Sequence, residues 1–136
     1  PTGDFGTTAP YGNIDRPFDI AALAAAAGAS YVAKGSAYHA AQTTKFIQDG
    51  IAHKGFSLID CAGVCATYYG RKNKKGSAVD MMKYQRDNAI TVEKAREMTA
   101  EEKKGKIIIG KVCEEDYPEL TEQYQKIIDR LMEAKK

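Results

Sequence analysis

At 136 residues the chain is long enough for one domain with a buried core, and its 43% apolar and 28% charged residues are typical of a globular protein. The formal net charge of +2 is too small to indicate a nucleic-acid-binding protein, and no apolar run approaches the roughly 18 residues of a membrane span. No signal peptide is visible, and the three cysteines form no disulfide or zinc-binding pattern, so a reducing cytoplasm is the expected setting.

The chain opens with a predicted loop and an alanine-rich helix. Residues 1–15 are rich in glycine, proline and threonine and are expected to form the loop. The helix is expected to have Asp15 or Arg16 at its N-cap and Pro17 in its first turn, where a missing N–H costs nothing. It runs through an alanine-rich stretch to Gly28, a typical stop signal. So smooth a helix face predicts close packing against a neighbouring element.

Two strands and a second helix come next. The segments 30–34 and 56–62 predict strands, and apolar residues recur at helical spacing in the segment at about 41–53 between them. Because a helix of this length separates the two strands, they are expected to run parallel in one sheet.

The second half of the chain predicts further helices and one strand. Residues 78–104 are expected to form a helix followed by charged sequence with a short helical stretch, and residues 117–134 an amphipathic helix that covers the sheet. The aliphatic run 107–112 predicts a third, central parallel strand. The expected fold is therefore α/β, a three-stranded parallel sheet with flanking helices. It forms one domain with a loop at 1–15, a β-α-β core at 16–77, a helical insertion at 78–104 and a last strand and helix at 105–136.

Cys65 follows the second predicted strand closely, and α/β proteins place their sites at the carboxyl ends of strands. It is either a small core residue or the ligand of a metal centre, because a thiol serves both roles. Cys61 lies within the strand and is expected in the core, and Cys113 is expected to be structural. His39 and His53 have no ligand partners at suitable spacing, so they are expected at helix ends or on the surface.

Five segments of the sequence carry a resemblance to a known family. They are, in chain order, Pro10–Ile20, Ala27–Ala33, His53–Ser57, Cys65–Asn73 and Ile109–Val112. Together they resemble the β subunit of the 2-oxoacid:ferredoxin oxidoreductases, above all the 2-oxoglutarate type. The similarity covers essentially the whole chain, and several collinear motifs are more specific than any single one.

The resemblance implies a fold, an activity and partners. The β subunit of this family is a thiamine diphosphate-binding α/β domain that works with an α subunit, often also with γ and δ subunits. The enzyme decarboxylates a 2-oxoacid oxidatively, forms an acyl-CoA from coenzyme A and passes two electrons through a 4Fe–4S cluster to ferredoxin. The chain on its own is expected to be inactive.

The resemblance also implies a role for Cys65. Three cluster cysteines lie near the amino end of the family's β subunit, and the fourth lies far downstream, in a Cys-Pro-Thr-type motif after a strand. The segment Cys65-Ala66-Thr67 matches that position, with alanine in place of the usual proline. Cys65 is therefore the candidate fourth ligand, a role that suits a soft thiolate.

Other family motifs are missing from this sequence. They are the amino-terminal Cys-x-x-Cys pair, and the Gly-Asp-Gly motif and downstream asparagine that hold Mg²⁺ and the diphosphate. The resemblance thus implies the carboxyl-terminal portion of a β subunit: an expression fragment, a proteolytic remnant or a split subunit. The opening loop corresponds to the segment after that asparagine, with Asp4 and Phe5 in place of Gly-Gln. Thr2, Gly3 and Thr7 are candidates for contacting the diphosphate through backbone N–H groups.

The basic loop Arg71–Lys75 has two interpretations. It is a solvated turn, or it attracts an anion: the phosphates of coenzyme A, a substrate carboxylate or an acidic ferredoxin. Arg71 is the candidate for clamping a carboxylate, because a guanidinium forms two parallel hydrogen bonds. Tyr68 and Tyr69 either shield the cluster from solvent or simply pack.

Two other functions stay open on the sequence alone. A non-oxidative thiamine-dependent 2-oxoacid decarboxylase would share the fold and would need no cluster cysteine. A catalytically silent assembly or anion-binding module would use the basic loop without any cofactor.

Overall fold

The computed structural model of the protein describes residues 1–134, so the last two residues of the predicted final segment lie outside the described part. Five helices are found, α1 (Ile20–Ala26), α2 (Ala40–Ala52), α3 (Ala78–Asn88), α4 (Val92–Glu97) and α5 (Leu120–Glu133). Four strands accompany them in this part of the chain, β1 (Tyr31–Ser36), β2 (Ser57–Ala62), β3 (Ala89–Thr91) and β4 (Ile107–Glu114). The predicted α/β class is confirmed.

The four strands form one sheet in the order β2-β1-β4-β3. β1 and β2 are parallel, in register from Tyr31–Ser57 to Ser36–Ala62, which confirms the predicted β-α-β unit. β4 is central as predicted, but it runs antiparallel to β1 and parallel to β3, so its predicted direction is wrong. An aliphatic run indicates that both faces of a strand are buried, and this does not fix the strand's direction.

The core lies on both faces of β1. Tyr31, Val32 and Ala33 are all 0% exposed. Val32 packs with Ala21 of α1 on one face, whereas Tyr31 and Ala33 pack with Phe46 of α2 on the other. The alternation of side chains along a strand thus places α1 and α2 on opposite sides of the sheet.

Helix α1 begins later than the sequence predicted. Asp19, and not Asp15 or Arg16, is the N-cap, and its carboxylate accepts the N–H of Ala22 at 3.0 Å. This bond, aided by Lys34, holds the pKa of Asp19 below its ordinary value. The predicted close packing of the alanine face is confirmed, because Ala21 is buried.

Helix α3 is fixed at the carboxyl end of β2. Ser77 and Asp80 form a capping box at its start. Gln85 is 3% exposed, and its amide donates to the carbonyl groups of Ala62 and Gly63 at 2.9 and 3.2 Å. Its Oε1 accepts the N–H of Tyr38 at 2.9 Å. A buried amide with all these partners fixes the position at which the chain leaves the sheet.

The insertion at 78–104 is helical as predicted, with one addition. Helices α3 and α4 match the helix and the short helical stretch, but the three-residue strand β3 lies between them. A strand this short leaves no readable alternation in the sequence. Its partner β4 supplies the backbone hydrogen bonds that stabilise it.

Helix α5 forms as predicted but does not cover the sheet. None of its residues is buried. Its apolar residues are 41–75% exposed: Leu120, Tyr124, Ile127, Ile128 and Leu131. Amphipathic spacing shows that one helix face favours burial, and it does not show what buries it. Across residues 1–134 no helix has the length and apolar character needed to cross a membrane.

Candidate functional site

The Cys65 segment leaves the sheet at the end of β2 and closes a single π-helical turn, Ala66–Gly70. The Gly70 N–H donates to the Cys65 carbonyl oxygen at 2.8 Å. A Cβ at Gly70 would lie 2.8 Å from the Met81 sulfur and 3.3 Å from the same carbonyl oxygen. Glycine is therefore what allows the turn to pack this closely onto α3.

The thiol of Cys65 is exposed, and backbone N–H groups of the turn that follows it lower its pKa. Bonds from the N–H of Tyr69, then of Tyr68 and Thr67, lower the pKa of the Cys65 thiol below its ordinary value. These donors favour the thiolate because they stabilise its negative charge. The interpretation of Cys65 as a core residue is therefore wrong, and its thiolate is accessible to a metal centre.

We expect the Cys65 thiol of the metal-free protein to react with iodoacetamide with a pH midpoint below about 8.5, the ordinary value for cysteine. Because the folded-state pKa is depressed, the thiolate is present at lower pH in the folded chain than in the unfolded chain. Site-resolved mass spectrometry at several pH values measures the reaction. The midpoint should rise to the ordinary value in guanidinium chloride, and equal midpoints in both states would contradict the expectation.

Asp4 connects the amino-terminal loop to the Cys65 segment. The Tyr69 hydroxyl donates to one oxygen of the Asp4 carboxylate, and the other oxygen lies 3.8 Å from the Lys75 Nζ. Burial, and then the hydrogen bond to Asp4, raise the pKa of Tyr69 well above its ordinary value. Tyr69 is therefore a fixed hydrogen-bond donor at neutral pH and not an acid–base group.

Asn73 makes a second connection to the same loop. Its Oδ1 accepts the Phe5 N–H at 2.7 Å, and its Nδ2 donates to the Phe5 carbonyl oxygen at 2.9 Å. Nδ2 also donates to the Tyr69 carbonyl oxygen at 3.0 Å. Asp4 and Phe5, the two positions that depart from the family's Gly-Gln, are thus the ones that hold the loop against the Cys65 segment.

The sequence pattern did not point to Asp4 and Asn73 as positioning residues. The contacts they make join residues 65 and 68 positions apart in the chain, so no local periodicity signals them. The one sequence signal was the presence of Asp4 and Phe5 in place of the family's Gly-Gln, because a charged residue in a glycine-rich loop is expected to form an ion pair or a hydrogen bond.

The basic loop lies on the surface. Arg71, Lys72 and Lys74 are exposed, and across residues 1–134 their side chains make no ion pair or hydrogen bond. Lys75 differs, because it pairs with Asp4. The backbone N–H of Lys75 donates to the Gly70 carbonyl oxygen at 2.9 Å, and this bond ties the basic loop to the end of the π-helical turn.

The opening loop, taken alone, does not fit a diphosphate. The Gly3 N–H already donates to the Asn13 carbonyl oxygen at 2.7 Å, and the Thr2 hydroxyl donates to that of Asp15 at 2.6 Å. Thr7 is exposed. The Asp4 carboxylate adjoins these groups and disfavours a second anion. The contacts predicted for Thr2, Gly3 and Thr7 therefore stay a prediction for the complete enzyme.

A cavity of about 810 Å³ opens between this loop, the end of β2 and helix α3. Its mostly apolar wall includes Val64, Tyr69 and Met81, and the segment 103–107 closes one side. The Tyr84 hydroxyl donates to the Gly105 carbonyl oxygen at 2.5 Å and ties that segment to α3. The volume is that of a small-molecule site.

The other cysteines and the histidines add no metal centre in the described part. Cys61 is exposed, so its predicted core position is wrong, because β2 is an edge strand of the sheet. Cys113 is half-buried and donates to the Ala29 carbonyl oxygen at 3.4 Å, which confirms its structural role. His39 and His53 flank α2, as predicted. Within residues 1–134 no group of three or more His, Cys, Asp or Glu residues could hold a metal ion.

Cys65 can therefore supply one ligand of a metal centre, but the residues from 1 to 134 do not form a complete site around it. Its thiolate is favoured by backbone N–H groups of the following turn and is open to solvent. Hydrogen bonds of this kind are among the features that set the potential of iron–sulfur centres.

Comparison with known proteins finds relatives that are similar to one another in kind. The family model "Thiamine pyrophosphate enzyme, C-terminal TPP binding domain" matches residues 1–61. The 2-oxoglutarate synthase subunit KorB of Methanothermobacter marburgensis is 46% identical over 95% of this chain and 45% of its own length. The subunit of the same name from Methanocaldococcus jannaschii is 41% identical over 96% of this chain and 48% of its own. The chain thus spans about half the length of the curated relatives it matches.

A solved structure, 2-oxoglutarate:ferredoxin oxidoreductase from Magnetococcus marinus with 2-oxoglutarate, coenzyme A and succinyl-CoA bound, has a similar fold. The TM-score is 0.72 at 22% identity, over 96% of this chain and 45% of that chain. This likeness shows the fold, and the closer sequence relatives bear on the family. The family predicted from the sequence is confirmed: the chain is related to the β subunits of the 2-oxoacid:ferredoxin oxidoreductases.

Proposed function

We propose that the chain is part of an enzyme that oxidatively decarboxylates a 2-oxoacid, with 2-oxoglutarate as the first candidate. The 2-oxoacid and coenzyme A give an acyl-CoA, carbon dioxide, a proton and two electrons, and two molecules of ferredoxin take one electron each. Similarity to 2-oxoglutarate synthase subunits along 95% of the chain supports this reaction class. The exposed, thiolate-favouring Cys65 is the observation that supports the electron path.

Thiamine diphosphate is the proposed cofactor, because the matching family model is that of a thiamine pyrophosphate-binding domain. When bound, it supplies the ylid and the electron sink for decarboxylation. Since the opening loop does not fit the diphosphate by itself, we place the ligands of Mg²⁺, and the further contacts that the diphosphate needs, on other parts of the complete enzyme. An α subunit, in some enzymes with γ and δ subunits, is the proposed partner, and the reducing cytoplasm is the proposed setting.

The contribution of this chain is to hold one cluster ligand in place. We propose Cys65 as one of four ligands of a 4Fe–4S cluster, with the other three outside this chain. Its thiolate is stabilised by the N–H groups of the π-helical turn. Asp4 and Asn73 fasten the turn to the opening loop, so the ligand has a fixed position.

Arg71 is the proposed partner of a substrate carboxylate. Its guanidinium is exposed and makes no ion pair with any residue from 1 to 134. A planar guanidinium binds a carboxylate through two parallel hydrogen bonds, which fixes orientation as well as affinity.

Turnover by the complete enzyme, purified with its partner subunits, tests the proposal. We expect reduction of methyl viologen that requires both 2-oxoglutarate and coenzyme A, with other 2-oxoacids as controls for substrate preference. Carbon dioxide and an aldehyde formed without any electron acceptor would instead favour a non-oxidative decarboxylase. No turnover of any 2-oxoacid would favour a silent assembly module.

A further inference from the structure

We propose that Tyr68, Lys72 and Lys74 form a basic patch that docks an acidic electron-carrier protein of the ferredoxin class. The inference rests on the proposed function, which supplies reduced cluster at Cys65. It assigns the docking of the carrier to one surface of this chain. The test below distinguishes this docking from binding of the coenzyme A phosphates or of a substrate carboxylate.

The basic patch carries uncompensated positive charge. Residues 61–79 contain four basic residues and no acidic residue. Asp4 lies 3.8 Å from Lys75, whereas the other three cations have no ion pair within the described chain. Exposed charges of one sign attract an oppositely charged protein over several ångströms and raise its association rate.

The shape of the patch favours a protein over a small anion. Lys72 and Lys74 do not line the 810 Å³ cavity, although Lys75 does. A small anion is normally bound by donors that converge in a concave site, whereas these cations lie along an exposed turn. Tyr68 is 64% exposed among them and offers the aromatic contact that protein interfaces favour.

The basic patch is built on the turn that holds the proposed cluster ligand. Tyr68 lies three residues after Cys65, within the π-helical turn Ala66–Gly70. The Gly70 N–H donates to the Cys65 carbonyl oxygen at 2.8 Å, and the Gly70 carbonyl oxygen accepts the Lys75 N–H at 2.9 Å. A carrier docked on the patch is therefore beside the electron exit. Each docking passes one electron from reduced cluster to oxidised carrier, twice per turnover.

The test combines Lys72→Gln with Lys74→Asn in the complete enzyme. Asparagine is chosen because Lys74 has φ +51°, a left-handed conformation that asparagine tolerates. At low ionic strength we expect the KM for an acidic 4Fe–4S ferredoxin to rise about 10-fold, because steering is lost. The difference should shrink as salt is added. The turnover with methyl viologen and the KM values for 2-oxoglutarate and coenzyme A should not change.

A matched control removes the same charge elsewhere. Lys94→Gln with Lys126→Gln neutralises exposed positions on α4 and α5 and should leave the KM for ferredoxin unchanged. An unchanged KM in the Lys72 and Lys74 variant, or an equal rise in the control, overturns the proposal. A raised KM for coenzyme A or 2-oxoglutarate instead assigns the patch to a small anion and also overturns it. If the unmodified enzyme reduces no methyl viologen with any 2-oxoacid, the proposed function itself fails, and the docking with it.

Discussion

Replacing Cys65 by alanine in the complete enzyme is expected to remove the cluster and with it the reduction of both ferredoxin and methyl viologen. We expect turnover to fall by more than about 100-fold, because even residues that only support a metal ligand cost roughly 10–100-fold when removed. Iron content and the visible absorbance of the cluster report the loss directly. Cys65 is exposed, so the circular dichroism spectrum should not change.

Cys61→Ala is the matched control for this experiment. Cys61 is also an exposed thiol, four positions earlier in the chain. It lies within β2, before the turn whose N–H groups lower the pKa of the Cys65 thiol. Full iron content and activity are therefore expected after this change. Unaltered iron and ferredoxin reduction in the Cys65→Ala enzyme would refute the ligand assignment.

The elements that the sequence predicts well are those with a strong local pattern. Strands β1 and β2 and helix α2 appear close to their predicted bounds, because apolar runs and helical spacing report burial along a single element. The predicted N-cap of α1 is wrong because several residues before the first turn could cap or start a helix: Asp15, Arg16, Pro17 and Asp19. The carboxylate of Asp19 forms the cap, since it alone reaches the Ala22 N–H.

Properties set by distant partners were not readable from the sequence. The direction of β4 depends on which edge of β1 it joins, and the existence of β3 depends on β4. Helix α5 shows the same limit in another form. Its apolar face has the predicted spacing, yet Leu120 stays 75% exposed, because spacing does not specify a partner.

The candidate site also has one part that the sequence predicts and another part that it does not. Cys65 was identified through its motif, which is local and follows a predicted strand. The contacts that position it, from Tyr69 to Asp4 and from Asn73 to Phe5, join segments 65 and 68 residues apart. Their donors and acceptors are ordinary surface residue types, so no composition or periodicity distinguishes them before the chain is folded.

Gly35→Ala is expected to lower the free energy of unfolding by about 3 kcal/mol, because β1 and α2 approach too closely for a methyl group. A Cβ at Gly35 would lie 2.5 Å from the Thr43 Oγ1 and 2.8 Å from its Cγ2. Thr43 cannot turn away freely, because its hydroxyl accepts the Ser36 N–H at 3.1 Å and donates to the Ser36 carbonyl oxygen at 3.0 Å. Urea titration followed by circular dichroism measures the change.

The double variant with Thr43→Ala tests this mechanism. Thr43→Ala alone should also destabilise the chain, because it leaves buried backbone groups of Ser36 without a partner, at about 1–3 kcal/mol. In the double variant the atoms nearest to the new methyl group are gone. The loss of unfolding free energy in the double variant should therefore be smaller than the sum of the losses in the two single variants. Strictly additive losses would show that the clash is not the cause.

Because α2 packs on β1 and β1 pairs with β2, the close contact between Gly35 and Thr43 supports the strand from which Cys65 emerges. The complete Gly35→Ala enzyme should therefore lose cluster iron only to the extent that the domain unfolds, whereas Cys65→Ala removes it from a folded one.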